Sequence, residues 1–229
     1  MRRVRLQTST MVCLANVHML VEAKRNLDFR QIFQNADFRL LDGQPLVWSF
    51  RFFHGIRPER IAGKHLMHAL LLQAAEEGEK VFFYGSTAEK LAKAERYLIS
   101  HYPGLQIAGM LAPPFRALTS EEVIAHANHI KDSGASFVFV ALGCPKQERW
   151  MHIMRGRIPA VMLGIGIALE VLTGQQKSTP LWMEKAGLEW MFRLGKEPKR
   201  LFKRYFVTNS YFILMFFREW LRVAKVIPK

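Results

Sequence analysis

The sequence predicts an α/β fold: a Rossmann-like, mostly parallel sheet flanked by helices, followed by a basic, aromatic helical appendage at the C-terminal end. Three observations carry this. Short apolar runs of strand length alternate with segments whose apolar residues recur at helical spacing, and no internal repeat interrupts the alternation. Several of the apolar runs have no polar side at all, as strands buried on both faces of a parallel sheet do. From Leu181 onward this rhythm stops, and 11 Lys and Arg stand against 4 Asp and Glu in an aromatic-rich stretch.

The strand candidates are Met11 to Leu14, Phe38 to Leu41, Lys80 to Tyr84, Leu105 to Met110, Phe137 to Leu142 and Ala160 to Leu163, each rich in aliphatic, β-branched or aromatic residues. Helical spacing runs through His65 to Glu79, Thr87 to His101 and Glu121 to Asp132. Capping boxes are expected at Ser86 with Glu89 and at Thr119 with Glu122. Pro103-Gly104 and Ser133-Gly134 stop helices, and Gly85, Gly143 and Gly164 sit at strand ends. The expected division is a core over 1–180 and an appendage over 181–229.

Of the 229 residues half are hydrophobic, enough for a full core, and the formal charge of +14 calls for an anionic partner. Cys13 and Cys144 form no CxxC and accompany no histidines at zinc-finger spacing, so neither a disulfide framework nor a structural metal is expected, and a reducing cytoplasm fits. The basic start, Met1 to Leu6, leads into Gln7 to Thr10 rather than an apolar core, which predicts no cleavable signal. The apolar run Tyr211 to Phe217 is far shorter than the roughly 20 residues that span a bilayer, so any membrane contact should be peripheral.

Ligands of open α/β sheets bind outside the carboxyl ends of the strands, which singles out Asp42, Gly85, Ser86, Gly143 to Gln147 and Gly164 to Gly166. Asp42, in Leu41-Asp42-Gly43-Gln44-Pro45, is either a helix cap or a catalytic carboxylate. Arg60, in Arg60-Ile61-Ala62-Gly63, either holds a phosphate or pairs with a nearby acid such as Glu59. In Gly143-Cys144-Pro145-Lys146-Gln147-Glu148 a glycine turn and a lysine follow a buried strand; it either offers N–H groups and a cation to a diphosphate or simply starts a helix at Pro145. Gly164-Ile165-Gly166 has the look of a dinucleotide loop, but Leu169 occupies the place of a small residue, so no dinucleotide site is expected. The pairs His65/His68 and His126/His129 share helix faces yet lack a third ligand, and are read as packing or solvated residues, as Trp182, Trp190, Phe192 and Trp220 are read as packing residues rather than a sugar platform.

Taken together and in this order, Asn16, Asp42-Gly43, Arg60 to Gly63, Phe83-Tyr84-Gly85, Gly143 to Glu148, Gly174 to Pro180, and Gly187 to Leu194 with Glu197-Pro198 resemble the WecG/TagA/CpsF family, glycosyltransferase family 26. The resemblance runs from about Met11 to Tyr205, and its most specific segments are Pro-Lys-Gln-Glu and Leu-Glu-Trp. It implies a metal-independent, cofactor-free inverting hexosyltransferase at the cytoplasmic face of the plasma membrane. Such enzymes take a UDP-linked sugar, typically of the N-acetylmannosamine type, to a sugar on a polyprenyl diphosphate in bacterial surface polysaccharide synthesis.

By the same resemblance Asp42 is the candidate general base, and Arg60 and Gln147 line the donor or acceptor pocket. Asn16, Gly85, Ser86, Gly143, Lys146, Glu148, Gly164 and Gly166 complete the substrate-binding set. Arg193, Arg200 and Arg204 grip the lipid diphosphate, and the appendage meets an anionic membrane.

The chain departs from the pattern at four places: Leu14 stands where a Thr is usual, His65 where an Asp is usual, Gly166-Ile167 with Glu170 in place of Gly-Gly and Asp, and Ser178-Thr179-Pro180 in place of Arg-Ala-Pro. Leu14 and Ser178 leave open an inactive member that serves as a scaffold. The charge alone also admits a nucleic-acid binder, but no RRM, KH or zinc-finger pattern is present, so no nucleic-acid partner is expected.

Overall fold

The computed structural model of the protein describes residues 9–226; the basic start, on which the absence of a signal was read, lies outside them. Six strands, β1 (Thr10–Ala15), β2 (Phe38–Leu41), β3 (Lys80–Gly85), β4 (Gln106–Leu111), β5 (Phe137–Ala141) and β6 (Val161–Gly164), form one sheet in the order β2-β1-β6-β5-β3-β4. It is a parallel sheet flanked by helices, as the apolar runs predict. The inner strands β1, β6, β5 and β3 carry the most buried residues, whereas Phe38 on the edge strand β2 is 56% exposed. Every strand lies within one residue of its expected bounds.

Eleven helices are described: α1 (Val17–Arg25), α2 (Leu27–Gln34), α3 (Gln44–His54), α4 (Gly63–Glu77), α5 (Ala88–His101), α6 (Ser120–Ser133), α7 (Lys146–Met154), α8 (Ala168–Leu172), α9 (Leu181–Lys185), α10 (Glu189–Lys196) and α11 (Pro198–Val226). Sequence spacing found α4, α5 and α6, and missed α1, α2 and α3, whose short apolar faces are interrupted by polar residues.

The chain forms two compact units. The first contains the described residues up to Leu14, Gln31–Arg39 and Gly63–Ser178, and so holds most of the sheet. Its helices bury one stripe each: Met67, Leu71 and Ala74 of α4, Leu91, Ala94 and Leu98 of α5, Ala127 and Ile130 of α6. Phe83 stacks on Phe139 at 5.3 Å and Tyr84 on Trp150 at 4.0 Å between ring centroids. Two of the histidines belong to this packing, since His126 Nδ1 meets the Tyr84 hydroxyl at 2.9 Å and His68 Nδ1 meets that of Tyr102 at 2.6 Å.

The caps divide. At α6 the box forms in full: Thr119 accepts from the Glu122 N–H, Glu122 accepts from the Thr119 N–H, and Gly134 closes the helix in the left-handed region. At α5 the expected box at Ser86 and Glu89 does not form. Thr87 is the cap, accepting from the Lys90 N–H, because the backbone of Ser86 lies at φ +58°, outside the extended geometry a cap needs.

The second unit contains Ala15–Arg30, Leu40–Ala62 and the chain from Thr179 on. The 29-residue α11 packs on α1, α3 and α10, with Leu201 and Thr208 buried. Phe216 lies 4.8 Å from Phe53 and 5.3 Å from Phe52, ring to ring. Four-residue spacing predicts one shared helix face for Lys196, Arg200 and Arg204, but the structure puts Lys196 on a different helix from the other two. Lys196 ends α10, Glu197 leaves the helical region at φ −134°, and Pro198, which has no N–H to donate, opens α11. Among the described residues no helix is long and apolar enough to cross a membrane.

Candidate active site

In the first unit the predicted residues gather at the carboxyl ends of β3, β5 and β6. Gly85 ends β3 at φ +115°, and a Cβ there would stand 2.6 Å from the carbonyl carbon and oxygen of Ala141, so only glycine admits this approach of two backbones. Ser86 follows with its N–H on the Ala141 carbonyl at 3.0 Å. Its hydroxyl donates to Glu170 Oε1 at 3.3 Å, and Lys90 Nζ sits 2.8 Å from Glu170 Oε2. Glu170, which stands where the family has an Asp, therefore ties the turn after β3 to α8.

After β5 the chain turns through Gly143, at φ +75°, and a cis Cys144-Pro145 bond into α7, where Pro145 is the N-cap. Lys146 is exposed there. Gln147 is not: it is 4% exposed, and both ends of its carboxamide are hydrogen-bonded. Oε1 accepts from the N–H of Gly143 at 3.1 Å and of Gly166 at 3.0 Å, and Nε2 donates to Glu148 Oε1 at 2.7 Å. The Gly143 N–H, which the sequence offers to a diphosphate, is thus directed to Gln147, as is that of Gly166. Gly164 is needed because a Cβ would lie 2.7 Å from Gln147 Nε2.

Glu148 has no exposed surface; burial pushes its carboxyl above the usual range, opposed by hydrogen bonds from Gln147, the main chain and the Cys144 thiol. Both cysteines are free, and burial raises the Cys13 thiol well above its ordinary value.

In the second unit the structure brings Asn16, Asp42 and Arg60 together. The N–H groups of Asp42 and Gly43 both donate to the Ala15 carbonyl, at 2.9 and 3.1 Å, which holds the turn after β2 on the end of β1. Asn16 caps α1, accepting from the Met19 N–H at 3.1 Å, and a Cβ on Gly43 would stand 3.2 Å from the Asn16 Cα. Asp42 is not a helix cap: Gly43 occupies that place at α3. Arg60 donates from Nε to the Asp42 carbonyl at 2.6 Å, from Nη1 to the Glu184 carbonyl at 3.1 Å and from Nη2 to Glu189 Oε1 at 2.7 Å, with Asp42 Oδ1 3.8 Å from Nη2. Its partner is therefore not Glu59 but an acid 129 positions later.

The remaining arginines of that unit are spread along two helices. Arg193 is half-buried on α10, Arg200 pairs with Glu197, and the Arg204 guanidinium lies 5.2 Å from the centre of the Tyr205 ring. Glu189, Glu184 and Glu170 were absent from the candidates taken from the sequence. Glu189 lies inside the Gly187 to Leu194 segment, but nothing local in the sequence ties it to Arg60.

A carboxylate beside a pinned guanidinium can accept a proton while the cation holds the surrounding turn, and a lysine next to a glycine turn can meet an anion. The model of the Glycosyl transferase WecG/TagA/CpsF family matches residues 1–226, and the chain belongs to that family of glycosyltransferases, which act on a sugar donor and an acceptor.

Proposed function

We propose that the protein is an inverting, UDP-sugar-dependent hexosyltransferase that places an N-acetylmannosamine-type sugar on a polyprenyl-diphosphate-linked acceptor in surface polysaccharide synthesis, with Asp42 as the general base. One observation carries the reading: Asp42 ends the turn after β2 without capping α3, and Arg60 grips the main chain of the same residue. Arg60 thus fixes the main chain at Asp42 and lies 3.8 Å from its carboxylate, which supports a chemical role for a side chain that caps no helix.

In the proposed reaction an Asp42 carboxylate oxygen takes the proton of the acceptor hydroxyl as that oxygen forms a bond to the anomeric carbon. The bond from the anomeric carbon to the diphosphate oxygen breaks on the opposite side, and its electron pair leaves with UDP. A positioned base contributes roughly 10²- to 10⁴-fold to such a step. Lys146, exposed on the turn after β5, is the cation assigned to the departing diphosphate, whose growing charge it stabilises. Arg193, Arg200 and Arg204 are assigned to the lipid diphosphate.

The membrane part of the proposal rests on the surface of α11. Phe202 and Phe206 are 62% and 66% exposed, with Lys199 and Lys203 exposed beside them, the make-up of a helix lying in a lipid interface. This supports residues 181–229 as the acceptor- and membrane-binding part, at the inner face of the plasma membrane.

Substitution Asp42→Asn tests the base. Turnover of the UDP-sugar should fall by roughly 10²-fold or more while UDP affinity and melting temperature stay near those of the parent protein. Near-normal turnover in a folded variant contradicts the role.

A further inference from the structure

We propose that Glu148 is a positioning residue: it fixes the orientation of the Gln147 carboxamide and, through it, the backbone of the two turns that follow β5 and β6. The two turns end neighbouring strands, with Val140 of β5 paired to Gly164 of β6. Gln147 joins them, because one oxygen receives the N–H of Gly143 from one turn and of Gly166 from the other.

A carboxamide has an acceptor end and a donor end, and only one of its two orientations suits these neighbours. An ionised Glu148 only accepts, and even a protonated one keeps an acceptor on the oxygen that does not carry the proton. With Glu148 Oε1 at 2.7 Å from Nε2, the donor end must face Glu148 and the acceptor end must face the glycines. The flipped carboxamide would set an NH₂ against two N–H donors and an oxygen against a carboxylate, losing all three hydrogen bonds around a buried side chain. The side chain packs against Gly164, where an added Cβ would stand 2.7 Å from Nε2 and 3.1 Å from Cδ.

Glu148 itself, with no exposed surface and on the first turn of α7, cannot reach a substrate. It acts through Gln147 on Gly143 and Gly166, and Lys146 leaves the same turn as Gly143 toward solvent. The functional half of this inference rests on the proposed use of Lys146, on the turn after β5, for the nucleotide diphosphate. The structural half does not.

The test uses the full chain, labelled with ¹⁵N, and compares the parent protein with Glu148→Met and Glu148→Gln. In the parent protein the Gly143 and Gly166 amides should be strongly protected from hydrogen exchange, as acceptor-bound groups are. Exchange as fast as an open turn overturns the proposal even if no variant folds. In Glu148→Met, which removes the fixed acceptor, both amides should exchange about tenfold faster or more relative to Phe139 and Met162 in the sheet.

Glu148→Gln can still offer a carbonyl oxygen to Nε2, so it should restore much of the protection. Unchanged protection in Glu148→Met, or equal loss in both variants, overturns the brace. For the donor, kcat/KM with the UDP-sugar should follow the exchange order, parent above Gln above Met. Kinetics that ignore a lost brace overturn the positioning role. If the parent protein transfers no sugar from any nucleotide, the exchange data still decide on the brace, and the failure belongs to the reading of the reaction.

Discussion

Arg60 Nη2 lies 2.7 Å from Glu189 Oε1, and through this pair a residue after β2 is joined to a helix near the other end of the chain. The side chains are only 15% and 25% exposed, so the pair is partly shielded from water. Substituting Glu189→Gln leaves the guanidinium with a weaker acceptor, and the loss in stability should be about 1–3 kcal/mol, the range for hydrogen bonds to charged groups. Thermal unfolding of Glu189→Gln, Arg60→Lys and the double variant measures the coupling. Additive single effects contradict the linkage.

Gly85 and Gly143 both have positive φ but differ in what surrounds them. A Cβ at Gly85 would meet the Ala141 backbone at 2.6 Å, whereas nothing lies within 4 Å of one at Gly143. Gly143→Ala should cost about 1 kcal/mol, the conformational term alone. Gly85→Ala adds a steric clash with the main chain of β5 and should cost about 3 kcal/mol or more. Denaturant unfolding of the two variants decides, and equal losses would remove the argument from backbone approach.

The acid side of the stability profile should report Glu122. Hydrogen bonds first from Arg116 and then from the Thr119 N–H hold its carboxyl down from 4.5 to about 2. A carboxyl lowered in the folded state contributes stability that is complete above the unfolded value and is lost as pH falls from about 4.5 to about 2. Arg116→Ala should therefore lower stability at neutral pH and flatten its decline through that window. A decline identical to that of the parent protein contradicts the assignment.

Membrane attachment through α11 predicts a charge effect separable from folding. Lys199 and Lys203 are exposed, beside Phe202 and Phe206. Neutralising both to Gln should weaken binding to anionic vesicles by roughly 1 kcal/mol per residue, with little change in melting temperature. Vesicle flotation that is unaffected by the double variant, or by added salt in the parent protein, contradicts an electrostatic anchor.

Much of this fold was legible because its strands are buried. The runs at Val81 to Tyr84 and Phe137 to Leu142 have no charged residue, and a sheet covered by helices is what such runs require. The helices between β1 and β2 were not legible, since α1 and α2 are short and their starts rest on single capping residues, Asn16 accepting from the Met19 N–H and Asn26 from the Phe29 N–H. The cap at α5 was misplaced by one residue because Ser86 and Thr87 are equally good caps in sequence. The left-handed backbone of Ser86 chooses between them.

At the site, motif order identified Asp42, Arg60 and Gln147, but their partners lie beyond sequence reach. Glu189 is 129 positions from Arg60, and Gly166 is 19 from Gln147. Only the three-dimensional structure turns a polar residue in a glycine turn into a bridge between two turns.

The most direct measurement of the account is the mass of the product. The full-length protein in detergent is incubated with a panel of UDP-sugars and a short-chain polyprenyl diphosphate carrying one sugar, and the lipid is read by mass spectrometry. The account predicts that the acceptor gains one N-acetylhexosamine-type residue, that UDP is released in equal amount, and that Asp42→Asn yields neither. An acceptor of unchanged mass with every UDP-sugar, in a folded protein that binds the vesicles, would contradict it.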